Sequence, residues 1–229
     1  MKCVILAGGR GTRISELSKD IPKPMIKVLG KPIISKIIMH YYKFGIRKFI
    51  IAAGYKKEII KSYFKKKKFK DCEIDILDTG INTMTGGRIK RLEKYINGTF
   101  MLTYGDGLSN VNLKKLLNFH TKNKKIATLT AVRPPARFGA IKIKGNKVNY
   151  FKEKSKLDEG WINGGFFVFD RKIFEYIKDD TTYLEKEPLQ SISKKGQLVA
   201  FKHYGFWQCM DTLRDKEILE KKLKKLKIK

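Results

Sequence analysis

The run Cys3-Val-Ile-Leu-Ala-Gly-Gly-Arg-Gly-Thr-Arg13 constrains this chain more than any other stretch, because an apolar β-branched strand passes straight into a turn of glycine and arginine. Glycines 8, 9 and 11 let the backbone approach an anion closely and aim its N–H groups inward, while Arg13 can fork onto phosphate oxygens. The turn therefore reads as a polyphosphate cradle at the edge of a sheet. Its spacing is not the dinucleotide fingerprint, since Ile14 stands where a third glycine would fall, and it is not a Walker A loop, since no Gly-Lys-Ser/Thr follows. A third kind of phosphate loop is expected; the plain alternative is a strand-to-helix turn.

The pattern downstream builds an α/β sheet around that turn. Residues 2–7 and 48–53 predict short apolar strands, and residues 32–44 between them predict a helix with proline in its first turn and Gly45 as its stop, which together make a βαβ unit. Residues 56–66 read as helix, 73–78 as extended, 85–95 as helix with Thr85 as N-cap, and 99–104 as a buried strand ending in Gly-Asp-Gly. This alternation predicts a mainly parallel central sheet with helices on both faces. Residues 139–151 alternate and turn at Gly145-Asn146, a hairpin signal, and 161–169 form an aromatic strand. From Asp211 onward, the spacing of Leu213, Ile218, Leu219, Leu223 and Leu226 predicts a final amphipathic helix. Residues 15–30, with Pro22-Lys23-Pro24, predict neither helix nor strand but a mobile loop over the phosphates, whose prolines restrict Lys23. With no repeat or linker composition, residues 1–229 are expected to form one domain.

Composition narrows the class. At 229 residues and 42% hydrophobic content, one buried core is attainable. No run of about 18 apolar residues and no charged-then-apolar leader is present, so neither a membrane span nor a signal peptide is expected and the cytoplasm is the expected compartment. Cys3, Cys72 and Cys209 lie far apart without Cys-x-x-Cys spacing, which predicts three free thiols. The formal charge of +29 raises nucleic acid or an anionic membrane as partners. Lysine, however, dominates and is spread through almost every segment, with only 65–68 and 221–229 denser, whereas nucleic-acid readers gather arginine forks and aromatic platforms on one face. No nucleic acid and no stable membrane association are expected. What remains is a general attraction for anionic substrates.

Tyr104-Gly-Asp-Gly107 puts a carboxylate at the carboxyl end of a central strand, the edge where open α/β sheets bind ligands. Asp106 is a natural Mg²⁺ ligand there, and a hard cation at a nucleotide calls for a second carboxylate. Asp211, in the run from Phe206 to Asp215, is the candidate; it is equally suited to cap the last helix.

Taken together, Leu6-Ala-Gly-Gly-Arg-Gly-Thr-Arg13, Pro22-Lys-Pro24, Asp78-Thr-Gly-Ile-Asn-Thr-Met-Thr-Gly-Gly-Arg88, Tyr104-Gly-Asp-Gly107, Arg137-Phe-Gly139, Phe151-Lys-Glu-Lys154, Ile162-Asn-Gly-Gly-Phe166 and Phe206 to Asp215 make the chain resemble the sugar-nucleotide nucleotidylyltransferases over nearly its full length. The third and last of these runs resemble most closely the glucose-1-phosphate cytidylyltransferase branch. The resemblance implies a Rossmann-like nucleotide-diphospho-sugar transferase fold, with a nucleotide-binding half in 1–135 and a sugar-phosphate-binding part plus C-terminal helix in 136–229. It implies transfer from CTP to α-D-glucose 1-phosphate, giving CDP-glucose and pyrophosphate by in-line displacement with Mg²⁺ held by Asp106 and Asp211. By the same resemblance, Leu6, Ala7, Gly8, Gly9, Gly11, Thr12, Arg13, Thr83, Gly87, Arg88, Gly105 and Asp106 would bind the nucleotide. Lys23, Gly139, Glu153, Lys154 and Asn163 would bind the sugar phosphate, with Arg13, Lys23 and Lys154 as the catalytic cations. Arg88, which can only donate, would favour cytosine if aimed at N3 and O2. The histidines are expected to be structural, because the attacking phosphate is already an anion.

Two departures from the family stand out. Ser155 replaces the proline that usually follows Glu153-Lys154, and the stretch between Phe64 and Ile76 is much shorter than the family's excursion there, which contributes to subunit association. A homo-oligomer is implied, with the hexamer left open. The competing readings are the same reaction with UTP, dTTP or another sugar 1-phosphate, an inactive sugar-nucleotide binder, and a basic polyanion-binding protein. An active enzyme would feed nucleotide-sugar biosynthesis for a cell-surface polysaccharide such as an O-antigen.

Overall fold

One strand with two apolar faces sets the architecture. In β1 (Lys2–Ala7), Cys3, Ile5 and Ala7 enter one core while Val4 and Leu6 enter the other. A strand buried on both faces belongs inside a parallel sheet covered by helices on each side. The computed structural model describes residues 1–134, 140–152 and 160–226. After β1 come α1 (Ser15–Ser18), the two-residue strands β2 (Lys27–Val28) and β3 (Lys31–Pro32), α2 (Ile33–Lys43), β4 (Lys48–Ala53), α3 (Lys57–Lys66) and β5 (Glu73–Asp78). They are followed by α4 (Thr85–Lys90), β6 (Phe100–Tyr104), β7 (Gly107–Ser109), α5 (Leu113–Asn123), β8 (Ala127–Val132), β9 (Ala140–Lys144) and β10 (Lys147–Lys152). The chain continues through β11 (Ile162–Phe169), α6 (Glu187–Lys194), β12 (Leu198–His203), β13 (Trp207–Cys209) and α7 (Leu213–Lys225).

The main sheet has the order β12-β8-β11-β6-β1-β4-β5. β1 is parallel to β4 and β6, β4 to β5, and β8 to β12, while β11 runs antiparallel to both β6 and β8. The expected mainly parallel sheet is present, with helices on both faces. On one face α2 contributes Ile33, Ile34, Ile37, Ile38 and Tyr41, and α7 contributes Leu219 and Leu223. The opposite face carries Ile89 of α4, Phe174, and Leu189 and Ile192 of α6. β9 and β10 pair as the hairpin read from Gly145-Asn146.

Three expectations are corrected. Residues 15–30 are not an irregular loop but a strap built of α1, a 3-10 turn over Lys23–Met25 and β2, which pairs with β3 just beyond, with Lys23, Pro24, Met25, Ile26 and Val28 buried. The apolar side chains anchor the strap in the core, and Pro22 and Pro24 set its turn. Thr85 does not cap a helix over 85–95. Met84 holds the N-cap position without a side-chain hydrogen bond, α4 ends at Lys90, and a 3-10 turn over Glu93–Tyr95 follows. Asp211 does not cap α7 either. Thr212 does, accepting from the Asp215 amide at 3.2 Å while the Asp215 carboxylate accepts from the Thr212 amide at 3.0 Å, a closed capping box. With the helix end satisfied by its neighbours, the Asp211 side chain is free for other work.

Thr212→Ala removes this cap and is expected to destabilise the protein by about 1 kcal/mol, read as a lower urea midpoint at unchanged slope. An unchanged midpoint would count against the box as the anchor of α7.

Candidate active site

The site begins where two parallel strands end together. Leu6 of β1 faces Tyr104 of β6 in register, and the Gly105 amide donates to the Leu6 carbonyl at 3.0 Å, so the glycine turn and Gly105-Asp106 emerge side by side at the carboxyl edge of the sheet. A cleft of about 650 Å³ opens there, lined by Leu6, Ala7, Gly8, Gly9, Gly11, Thr12, Arg13, Lys23, Thr83, Arg88, Gly105, Asp106, Asn163 and Asp211. All of these were singled out from the sequence. Gly139, Glu153 and Lys154 lie outside the described residues. Gly87 is not among the residues lining the cleft; a Cβ on it would stand 2.4 Å from the Asp180 Cα, so this glycine permits the close packing of α4 on the 180–184 segment.

The charges converge through strand register. β13 pairs antiparallel with β7, setting Cys209 opposite Gly107, and the Met210 amide donates to the Asp106 carbonyl at 2.9 Å. That pairing draws Asp211 to Asp106 across about half the chain. Lys23 lies between them, donating from Nζ to Asp106 Oδ2 at 2.6 Å and to Asp211 Oδ1 at 2.7 Å, and Arg13 donates from Nη1 to Asp211 Oδ2 at 2.9 Å. Lys23 is 8% exposed, so its charge needs both partners. Burial pulls its pKa down, but the charges and hydrogen bonds of Asp106 and Asp211 outweigh this, and the ammonium ends above the ordinary lysine value. Arg13 is the reverse case, with its side chain 73% exposed and able to leave Asp211 for an incoming anion.

Arg88 takes a position that the sequence did not disclose. Nη1 donates to Thr79 Oγ1 at 2.9 Å and to the Gly80 carbonyl at 2.5 Å, and Nη2 donates to the Gly8 carbonyl at 3.0 Å and the Ile81 carbonyl at 3.2 Å. The fork therefore braces the glycine turn from beneath. A Cβ on Gly8 would sit 2.1 Å from Nη1, so only glycine admits the brace. The expectation of a guanidinium free to aim at N3 and O2 of a base is corrected: its four terminal N–H groups already meet protein oxygens.

The far end of the cleft carries a network that no motif announced. Glu185 accepts from Tyr104 Oη and from Thr85 Oγ1, each at 2.6 Å, and Asn163 Nδ2 donates to Tyr104 Oη at 3.4 Å. Burial and then Glu185 hold the Tyr104 hydroxyl protonated, well above its ordinary value. Trp207, which also lines this end, donates from Nε1 to the Gly164 carbonyl at 2.8 Å. Thr85 thus ties α4 to the 184–185 segment instead of capping the helix. Trp207 stood inside the run from Phe206 to Asp215. Glu185, in an irregular segment 81 residues from Tyr104, had no periodicity or spacing to mark it.

Among the described residues, neither Cys209 nor a histidine is prepared as a nucleophile or base here. Burial, then Asp211 and Asp106, push the Cys209 thiol up to about 12. The three histidines stand away from the cleft with pKa values lowered first by burial; His120 meets Thr128 and His203 meets Ser109 and the Phe206 carbonyl. Among the described residues, no three His, Cys, Asp or Glu side chains gather into an all-protein metal cage. The two carboxylates that converge on one ammonium suit a hard cation that completes its shell with phosphate oxygens and water.

Known proteins place this geometry. The nucleotidyl transferase family model matches residues 2–211. The glucose-1-phosphate cytidylyltransferase of Salmonella typhimurium is 44% identical over 96% of this chain and 95% of its own length. The D-glycero-alpha-D-manno-heptose 1-phosphate guanylyltransferase of Aneurinibacillus thermoaerophilus is 32% identical over 90% and 89%. Among solved structures, HddC from Yersinia pseudotuberculosis superposes with a TM-score of 0.78 at 28% identity, covering 97% of this chain and 99% of that one.

Replacing Lys23 by methionine leaves Asp106 and Asp211 facing each other with only the exposed Arg13 guanidinium beside them. The loss is expected to be roughly 3 kcal/mol near pH 7. Like charges raise carboxylate pKa values in the folded state, so the variant binds protons more tightly when folded. Its deficit against wild type should then shrink as pH falls from 7 towards about 4. Thermal melts across that range give the answer, and a deficit independent of pH would refute the pairing.

Proposed function

The chain belongs to the nucleotidyl transferase family, and from that membership we propose that it catalyses transfer of the cytidylyl group of CTP to α-D-glucose 1-phosphate, releasing pyrophosphate and forming CDP-glucose. The observation that carries the reading is the convergence of Arg13, Lys23, Asp106 and Asp211 beside a glycine turn at the carboxyl edge of the sheet.

The sugar phosphate oxygen attacks the α-phosphorus in line with departing pyrophosphate. No protein nucleophile is needed, in keeping with a protonated Cys209 and remote histidines. Catalysis then rests on positioning and on neutralising charge. Backbone amides of the turn from Gly8 to Arg13 receive the triphosphate, with the turn kept in shape by Arg88. Arg13 and Lys23 exchange carboxylate partners for phosphate oxygens as the anions arrive. Asp106 and Asp211 would hold Mg²⁺, which supplies neutralisation of the triphosphate when bound. Lys154 is assigned to the phosphate of the sugar phosphate, Gly139, Glu153 and Asn163 to the hexose, and Thr83 to the base.

The direct test is pyrophosphate release with Mg²⁺, crossing CTP, UTP, dTTP, GTP and ATP with glucose, galactose, mannose and N-acetylglucosamine 1-phosphates. Release confined to CTP with glucose 1-phosphate is expected, with Lys23→Ala and Asp106→Asn each lowering kcat by about 10²–10³. Preference for another pair would overturn the base and sugar assignments, and absence of release from every pair would overturn the reaction.

A further inference from the structure

Outside the active cleft, a groove of about 1050 Å³ opens between α1, the turn over Lys23–Met25, the outer face of α2, and the segment from α3 to Phe69. Its floor is apolar, formed by Leu17, Ile21, Met25, Met39, Ile59 and Phe69. Met39 is 39% exposed, so this floor is open to solvent. Its rim is cationic: Lys31, Lys36 and Lys43 stand on one side and Lys67, Lys68 and Lys70 on the other. No Asp or Glu lines the groove, whereas Asp106, Glu185 and Asp211 line the active cleft of the same chain. Among the described residues, none of these six lysines forms an ion pair. Lys36 is partly withdrawn from water: burial first and then Lys31 make its charge less favourable than in solution, against the opposing influence of Glu220, which pairs with the groove-lining Lys216 at 3.1 Å.

An apolar floor beneath six ammonium groups that form no ion pair among the described residues selects its occupant. A second copy of this chain would carry the same lysine rim and a net charge of +29, so it would meet the groove with like charge. A neutral apolar body would cover the floor and leave the cations uncompensated. The volume matches one molecule in a small-ligand pocket. We propose that this groove is a second ligand site, taking a single small organic anion whose acyl or aryl body lies on the floor and whose phosphate, sulfonate or carboxylate head lies among the lysines.

Calorimetric titration of the full chain with dodecyl phosphate, below its micellar concentration, tests the site. One molecule per chain is expected to bind, and dodecyl maltoside, with the same tail and a neutral head, at least tenfold more weakly. The double variant Lys36→Glu/Lys68→Glu should weaken dodecyl phosphate at least tenfold with an unchanged melting temperature. The charge-matched Lys114→Glu/Lys115→Glu on exposed positions of α5 should leave binding as in wild type. Equal loss in both double variants would mean attraction by net charge alone and overturn the proposal, as would equal binding of the neutral detergent. A wild-type dimer in sedimentation that dissolves on Lys36→Glu/Lys68→Glu would give the groove to a second copy instead. Binding to anionic phosphatidylglycerol vesicles without any binding of monomeric dodecyl phosphate would give it to a membrane surface.

Discussion

One buried ammonium organises this molecule. Lys23 is held within 2.7 Å of two carboxylates that belong to distant parts of the sequence, and without it Asp106 and Asp211 would repel at the place where the chain brings them together. Several local features serve that meeting. The strap is packed by Met25, Ile26 and Val28, so that Lys23 is delivered rather than left to wander. The β7–β13 register sets one carboxylate beside the other, and the capping box of α7 satisfies the helix end with Thr212 and Asp215, which releases Asp211. A buried charge gains from pairing only where the geometry is prepared in advance, and the preparation here is spread over the strap, a strand pair and a helix cap.

Behind this cluster stands a second device, the guanidinium under the glycine turn. Arg88 is 4% exposed and loses favour as a charge first by burial and then from Arg91, a cost offset by four hydrogen bonds to protein oxygens. The cradle therefore keeps its shape before any anion arrives. A glycine-rich segment, which has much backbone freedom to lose, is held at Gly8 by a guanidinium that is itself fixed by the 79–81 segment.

Much of the framework was legible in the sequence because it is written in local pattern. The apolar runs of β1, β4 and β6 bounded by glycine, and the 3.6-residue spacing of α2 and α7, specify elements that form much as read. So were most cleft positions, since the turn after β1 and the Gly-Asp-Gly after β6 carry their chemistry in adjacent residues. The departures all depend on partners far away in the chain. β11 reads as a strand, but its antiparallel place between β6 and β8 is a fact of pairing. Residues 15–30 look irregular because their order comes from burial rather than periodicity. Thr85 has the chemistry of a cap, yet its hydroxyl is claimed by Glu185, and Arg88 points inward because Gly8 leaves it room. Glu185 itself sits in a segment whose composition says nothing about what it faces.

The position of Lys23 has a consequence for selectivity. Its ammonium is a tethered rival for any cation that approaches the two aspartates, present at an effective concentration of about millimolar or more. A bare divalent ion would have to part it from both carboxylates at once. An ion that arrives with a polyphosphate brings the displaced ammonium a new partner at the same moment. On the proposed reaction, the affinities for metal and nucleotide would thereby be linked through one side chain, each strengthening the other by the same factor. The cleft would then act as a coincidence detector, favouring the pair over either cargo alone.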